Sequence, residues 1–90
     1  MARIRIPTPL RPYTGGQEVV DATGATVGEV LDNLAHAYPE LEQHLFDGGE
    51  LRSFVNVFVG EEDIRYLRGT ETPVEEGARL LIIPSIAGGR

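Results

Sequence analysis

The sequence predicts an α+β domain in which a mixed sheet of four to five strands wraps around one main helix. Three observations lead there. Apolar residues fall at strand spacing in several separate stretches, one stretch alone carries long helical spacing, and that helix sits between the second strand and the rest. Ninety residues supply one core and leave no room for a second. A chain of this length buries roughly 60–65% of the surface its unfolded form exposes, enough for a fold but not for a large enclosed substrate cavity.

Each element has its own signature. Arg3-Ile4-Arg5-Ile6 alternates charged and apolar residues, the period of a half-buried strand. Pro7, Pro9 and Pro12 then argue against regular structure, and Thr14-Gly15-Gly16 supplies a turn. Glu18 to Ala22 reads as a second strand returning antiparallel to the first. Thr26-Val27-Gly28-Glu29 fits a capping box, with Thr26 as N-cap and Glu29 reaching back to its amide. Val27, Val30, Leu31, Leu34, Ala35 and Tyr38 form one apolar stripe behind it, and Pro39 places the helix end at Tyr38. Glu40 to Phe46 adds one further turn.

Phe54-Val55-Asn56-Val57-Phe58-Val59 is β-branched and aromatic, as a central strand is. Gly60 to Asp63 turns it, Ile64 to Leu67 pairs briefly beside it, and Arg68 to Pro73 is loop. Glu75-Glu76-Gly77 turns the chain into a buried strand, Leu80 to Ile83, which Pro84 terminates. The order of strand, strand, helix, strand, short strand, strand suits the β-grasp, or ubiquitin-like, arrangement, with the first and last strands parallel at the sheet centre. A ferredoxin-like sandwich needs a second long helix, and residues 60–78 hold too many turn formers to make one. The chain thus divides into a β-grasp domain over 1–84 and an extended, flexible tail over 85–90.

Composition excludes much chemistry. The chain has no cysteine, which removes disulfides, thiolate zinc sites, Cys-ligated iron–sulfur clusters and thiol nucleophiles. The net charge of −6 disfavours phosphate backbones, so no nucleic-acid partner is expected, and favours a protein partner with a basic surface. All eight basic residues are arginine, so no lysine can accept an isopeptide bond and the chain is a donor in any such ligation. No run of about 18 apolar residues and no leader pattern is present, which points to a cytoplasmic protein with no membrane partner.

Several constellations carry little. His36 and His44 with Asp47 are not expected to hold a metal, since Pro39 breaks the helix between the two histidines. Glu61-Glu62-Asp63 lacks the spacing of a calcium loop. Gly15-Gly16 and Gly48-Gly49 read as turns and not phosphate cradles, and Ser53 and Ser85 have no base beside them.

The informative segment is Pro84-Ser85-Ile86-Ala87-Gly88-Gly89-Arg90. It leaves a central strand, so its base is held, yet nothing in its pattern packs it down. Six residues past Pro84 reach roughly 20 Å at about 3.3–3.6 Å each. Gly88 and Gly89, without Cβ atoms, let the backbone enter a narrow channel in a second protein. A frayed terminus has the same composition.

A β-grasp order ending in Pro-Ser-Ile-Ala-Gly-Gly resembles the MoaD/ThiS family of ubiquitin-like sulfur carriers over nearly the whole chain. Two blocks are similar to the CysO-type carriers of cysteine biosynthesis within it. One is Ile6-Pro7-Thr8-Pro9-Leu10-Arg11-Pro12 followed by Thr14-Gly15-Gly16-Gln17; the other is Phe54 to Val59 followed by Glu62-Asp63-Ile64-Arg65. The resemblance implies a carrier and not an enzyme. An E1-like adenylyltransferase of the MoeB/ThiF type activates the Gly89 carboxylate with ATP, while the carrier itself binds no cofactor. A sulfur donor then displaces AMP to leave a thiocarboxylate. A synthase, cysteine synthase-like or a molybdopterin synthase large subunit, takes the sulfur, and a JAMM-type peptidase releases cysteine in the CysO-like case. Molybdopterin, thiazole and tRNA thiolation are the other destinations. Ser85, Ile86, Ala87 and Gly88 would be threaded into the partner.

Arg90 departs from the family pattern, because with it attached Gly89 is an amide and cannot be adenylated. Removal of Arg90 before activation is the expectation. A residue appended in cloning, or a chain that serves only as a binding module with an inert tail, are the alternatives. A ubiquitin-like protein modifier is the other competing function. For the body of the domain, strand parity puts Val55, Val57 and Val59 under the helix and Phe54 and Phe58 on the other face. The resemblance places the residue before Pro84 outward. Phe54, Phe58, Leu81 and Ile83 are therefore the candidate partner-docking residues.

Overall fold

The structure, a computed structural model, describes residues 1–84. Strand β1 (Ala2–Arg5) pairs antiparallel with β2 (Val19–Ala22), and Ile6 extends the pairing by donating its amide to the Glu18 carbonyl at 2.7 Å. Between them the chain is not irregular. Thr8–Thr14 forms a 3₁₀ helix, because Pro9 and Pro12 fix φ near helical values and a short 3₁₀ turn asks for few donors. Thr14, fully buried, satisfies its hydroxyl with the Arg11 and Gln17 carbonyls, each at 3.2 Å.

Helix α1 (Val27–Ala37) starts where the capping pattern places it. The Thr26 hydroxyl accepts from the Glu29 amide at 3.2 Å, but Glu29 Oε1 accepts from Ala25 N at 2.9 Å and not from the cap's own amide. The chain at the cap is pinned to a neighbouring loop, with Val27 N donating to Thr72 O and Val74 N to Ala25 O. Val27, Val30, Leu31, Leu34 and Ala35 are all buried, as their stripe requires.

Pro39 ends one helix and opens another. Helix α2 (Pro39–Leu45) places proline at its start, where the missing amide costs nothing, and buries Leu41 and Leu45. The single extra turn read from the sequence is thus a second short helix. A small hairpin follows, β3 (Phe46–Asp47) against β4 (Glu50–Leu51), turning on Gly48 and Gly49 at φ 64° and 86°.

Strand β5 (Val55–Val59) begins one residue later than the sequence reading has it, and its partner lies earlier. Glu62–Asp63, expected in a turn, forms β6 against Phe58 and Val59. Ile64–Tyr66, expected as strand, is a 3₁₀ turn in which the Asp63 carboxylate accepts from Arg65 N at 2.9 Å. The reason is local: the Asp63 cap competes with continued pairing, and Ile64 turns into the core. A further 3₁₀ turn at Gly69–Glu71 lies in the segment read as loop. The last strand is β7 (Arg79–Pro84).

The main sheet runs β2-β1-β7-β5-β6, with β1 and β7 parallel and β5 antiparallel to β7. Its inner face and the two helices enclose one core built on Ile4, Leu31, Leu34, Val57, Leu80 and Ile82. This is the β-grasp arrangement. Among the described residues, no helix is long and apolar enough to cross a membrane.

One glycine is fixed by a close approach. A Cβ on Gly24 would stand 2.6 Å from the backbone nitrogen of Val30 in α1, so a side chain there must displace the first turn of the helix. Gly24→Ala is expected to cost about 1–3 kcal/mol. Urea denaturation checks this, and an unchanged midpoint would show that the helix start shifts freely.

Candidate functional site

Helices cover one face of the sheet, and the other is open. The central strand presents its residues alternately to the two sides. Leu80 and Ile82 are 2% and 0% exposed, whereas Ile83 between Ile82 and Pro84 is 41% exposed. Leu81 lies on the same side as Ile83 and is half-buried. In β5, Val55 and Val57 fix the inward side, which turns Asn56 and Phe58 outward.

Register brings these residues together. Phe58 stands opposite Leu81 and Asn56 opposite Ile83. One row across the open face therefore reads Val19, Arg5, Leu81, Phe58, Asp63. A second row reads Asp21, Arg3, Arg79. The apolar group of Phe58, Leu81 and Ile83 lies toward the end of β7 at which the chain leaves the sheet.

Phe54 is placed differently. It stands outside β5, so it is not a strand neighbour of Phe58. It is 43% exposed and lines an open groove of about 690 Å³ with Pro9, Tyr13, His44, Arg52 and Pro84. The Arg52 guanidinium lies over the Phe54 ring at 5.8 Å from its centroid, and Tyr13 stacks on His44 with centroids 4.2 Å apart. Because Pro84 also lines the groove, Phe54 and Ile83 flank the same chain exit. Ser85, Ile86, Ala87, Gly88, Gly89 and Arg90 lie outside the described residues.

His36 is exposed and holds the Asp32 carbonyl at 2.8 Å through Nδ1; that hydrogen bond, then the Asp32 carboxylate, raises its pKa. His44 belongs to the Tyr13 stack. Among the described residues no group of His, Cys, Asp and Glu side chains is arranged to hold a metal ion. Sequence reasoning passed over Arg5 and Arg79 on the open face. The alternation Arg3-Ile4-Arg5-Ile6 carried part of that signal, since it puts both charges on the side away from the isoleucines.

A model of the ThiS family matches residues 4–89. The chain belongs to the ThiS family. Its members are small ubiquitin-like sulfur carrier proteins and not catalysts. The sulfur carrier protein CysO of Mycobacterium tuberculosis is 42% identical over 89 residues, covering 96% of each chain. The crystal structure of the Amycolatopsis orientalis BexX/CysO complex contains a chain that superposes with a TM-score of 0.90 at 39% identity, covering 99% of this chain and 100% of that one. The solution structure of small archaeal modifier protein 1 from Methanosarcina acetivorans gives a TM-score of 0.88 at 26% identity, covering 98% of this chain and 95% of that one.

Neighbouring isoleucines test the two-faced reading of β7. Ile82→Ala is expected to cost about 2–5 kcal/mol, as cavity formation does. Ile83→Ala should cost about 1 kcal/mol, since its side chain is already partly exposed to water. Chemical denaturation of the pair checks this, and equal losses would place Ile83 in the core.

Proposed function

We propose that this member of the ThiS family carries sulfur as a thiocarboxylate on Gly89, with cysteine biosynthesis as the destination. The observation that carries the reading is the match to the family model, which runs through residue 89 and leaves out Arg90. Likeness to CysO over 96% of the chain supports cysteine over molybdopterin, thiazole or tRNA thiolation.

The chemistry follows from what a carboxylate lacks. Its carbon is a poor acceptor, so an E1-like adenylyltransferase of the MoeB/ThiF type couples it to the α-phosphate of ATP and releases pyrophosphate. A sulfur nucleophile adds to the resulting mixed anhydride and AMP departs, leaving the thiocarboxylate. Its sulfur is ionised near neutral pH and is a better nucleophile than carboxylate oxygen. It displaces the leaving group of an activated serine on a cysteine synthase-like partner, and hydrolysis of the adduct by a JAMM-type peptidase releases cysteine and restores the carboxylate. Arg90 must leave first, because an amide at Gly89 has no carboxylate to activate.

The fold serves this cycle as a handle. Phe58, Leu81, Ile83 and Phe54 surround the chain exit and are the apolar anchors for the partner, as exposed aromatic and aliphatic groups are in interfaces. The Amycolatopsis CysO was solved in complex with BexX, which supports a carrier gripped by a second protein. Ser85, Ile86, Ala87 and Gly88 then pass into the partner's active site.

The test is a version ending at Gly89, incubated with its E1-like enzyme, ATP and sulfide. A mass gain of one oxygen-to-sulfur exchange is expected. An unchanged mass, with the enzyme active on another carrier, overturns the reading. Gly89→Ala should slow activation at least tenfold while leaving the melting temperature unchanged, since every buried residue among those described lies at or before Ile82. The likeness to a small archaeal modifier protein favours one second reading, a tail joined to target lysines. Covalent adducts on other proteins in a lysate would support it.

A further inference from the structure

The chain is acidic overall, yet the open face is not. Arg3 and Arg5 on β1 and Arg79 on β7 all face outward beside Leu81. Of the four other arginines described, Arg11, Arg52 and Arg65 donate to the backbone carbonyls of Ile6, Gln43 and Ser53 and so hold the fold together, while Arg68 lies exposed outside the sheet. The three on the open face do no such work. Arg3 reaches Asp21 at 3.4 Å, with both side chains largely in water, a pair that contributes little. Arg5 and Arg79 have no ion pair or side-chain hydrogen bond to any described residue. The other nearby carboxylates are engaged: Asp63 accepts from the Arg65 amide, and Glu76 pairs with the Met1 amine.

This arrangement works against folding. Arg3 stands directly opposite Arg79 in the β1–β7 register, and like charges so placed repel. Among the described residues only the exposed Arg3–Asp21 pair offsets this repulsion, which leaves Arg5 and Arg79 open to a carboxylate from outside. Arg79, Leu81 and Ile83 take successive outward positions on β7, about 6.6 Å apart. Arg79 is thus about 13 Å upstream of Ile83, inside the footprint of a partner burying about 800 Å² per side over Leu81, Phe58 and Ile83.

We infer that the activating enzyme presents an acidic patch to Arg5 and Arg79, flanking the apolar seat for Phe58, Leu81 and Ile83. This rests on the sulfur-carrier reading and sharpens it. The recognised surface is a carboxylate-bearing protein, the reverse of what the whole-chain charge of −6 suggests. Steering places the basic edge of the face against acid while the strongly acidic remainder turns away. A nucleic acid is the poorer occupant, since three guanidiniums beside an apolar group stand in a chain that repels phosphates overall.

The experiment measures adenylation by the E1-like enzyme of the same organism, using the form ending at Gly89. Arg5→Glu/Arg79→Glu should raise KM at least tenfold with kcat changed less than twofold. The rise should shrink as salt is increased, and Arg5→Lys/Arg79→Lys should restore most of the loss. The reversed variant should melt no lower than the unaltered chain, because a carboxylate opposite Arg3 replaces repulsion with attraction. If it fails to fold, Arg5→Gln/Arg79→Gln keeps the test open, with a smaller rise in KM expected. A KM within twofold of the unaltered chain for these variants overturns the inference and leaves the carrier reading intact, as it would if the charges served only solubility. No adenylation of the unaltered form by an enzyme active on another carrier removes both. Retention of the unaltered protein on single-stranded RNA at 0.1 M salt, lost on charge reversal while KM stays unmoved, would assign the face to nucleic acid and overturn the proposal.

Discussion

The pairing of the last strand on both of its edges is the constraint from which the rest follows. β7 binds β1 in parallel on one side and β5 antiparallel on the other, so chain segments more than seventy residues apart must meet before the sheet has a centre. Parallel neighbours cannot be joined by a tight turn, and the intervening chain supplies the helix that covers the sheet. Leu80 and Ile82 then lock β7 to that helix from within. A strand held on two edges and one face has only its open face and its end at Pro84 left to offer a partner.

That geometry suits the carrier role of the family, which asks for a fixed point of departure and not for an enclosed site. The body contributes no reacting group among the residues described. It contributes a fixed point of departure and a face beside it. The open side of the sheet carries a gradient along β7 from guanidinium at Arg79 to aliphatic at Leu81 and Ile83, ending at the exit. Arg11, Arg52 and Arg65 are taken up by backbone carbonyls at the 3₁₀ segment, at α2 and before β5, whereas Arg5 and Arg79 on the open face have no side-chain partner among the described residues.

The same physical rules that made most elements legible also account for the misses. Helix α1 was readable because its cap and its stripe agree, and β5 and β7 because β-branched residues crowd there. The prolines misled in both directions. Pro9 and Pro12 forbid a strand but permit a 3₁₀ helix, and Pro39 both stops one helix and starts another. The small strand opposite β5 lies two residues earlier than the spacing predicts, because Ile64 looks like strand in sequence while Asp63 caps a turn there. Phe54 shares the parity of Phe58 on paper, yet the strand starts at Val55, and parity holds only while the backbone stays pleated.

By itself the sequence determined the β-grasp order and the helix with its Thr26 cap, because these depend on spacing that any extended or helical backbone imposes, whereas the outward side of the last strand came from the family likeness. It also supplied the family likeness and the terminal glycines on which the proposed chemistry rests. Only the tertiary structure decided which residues from different strands meet on the open face. Arg79 lies more than seventy residues from Arg3, and nothing in local periodicity says that a parallel register sets them side by side. Charge counted along the chain gave an acidic protein. Charge placed by strand pairing gave that protein one basic edge, because the register and not the composition chooses a side chain's neighbours.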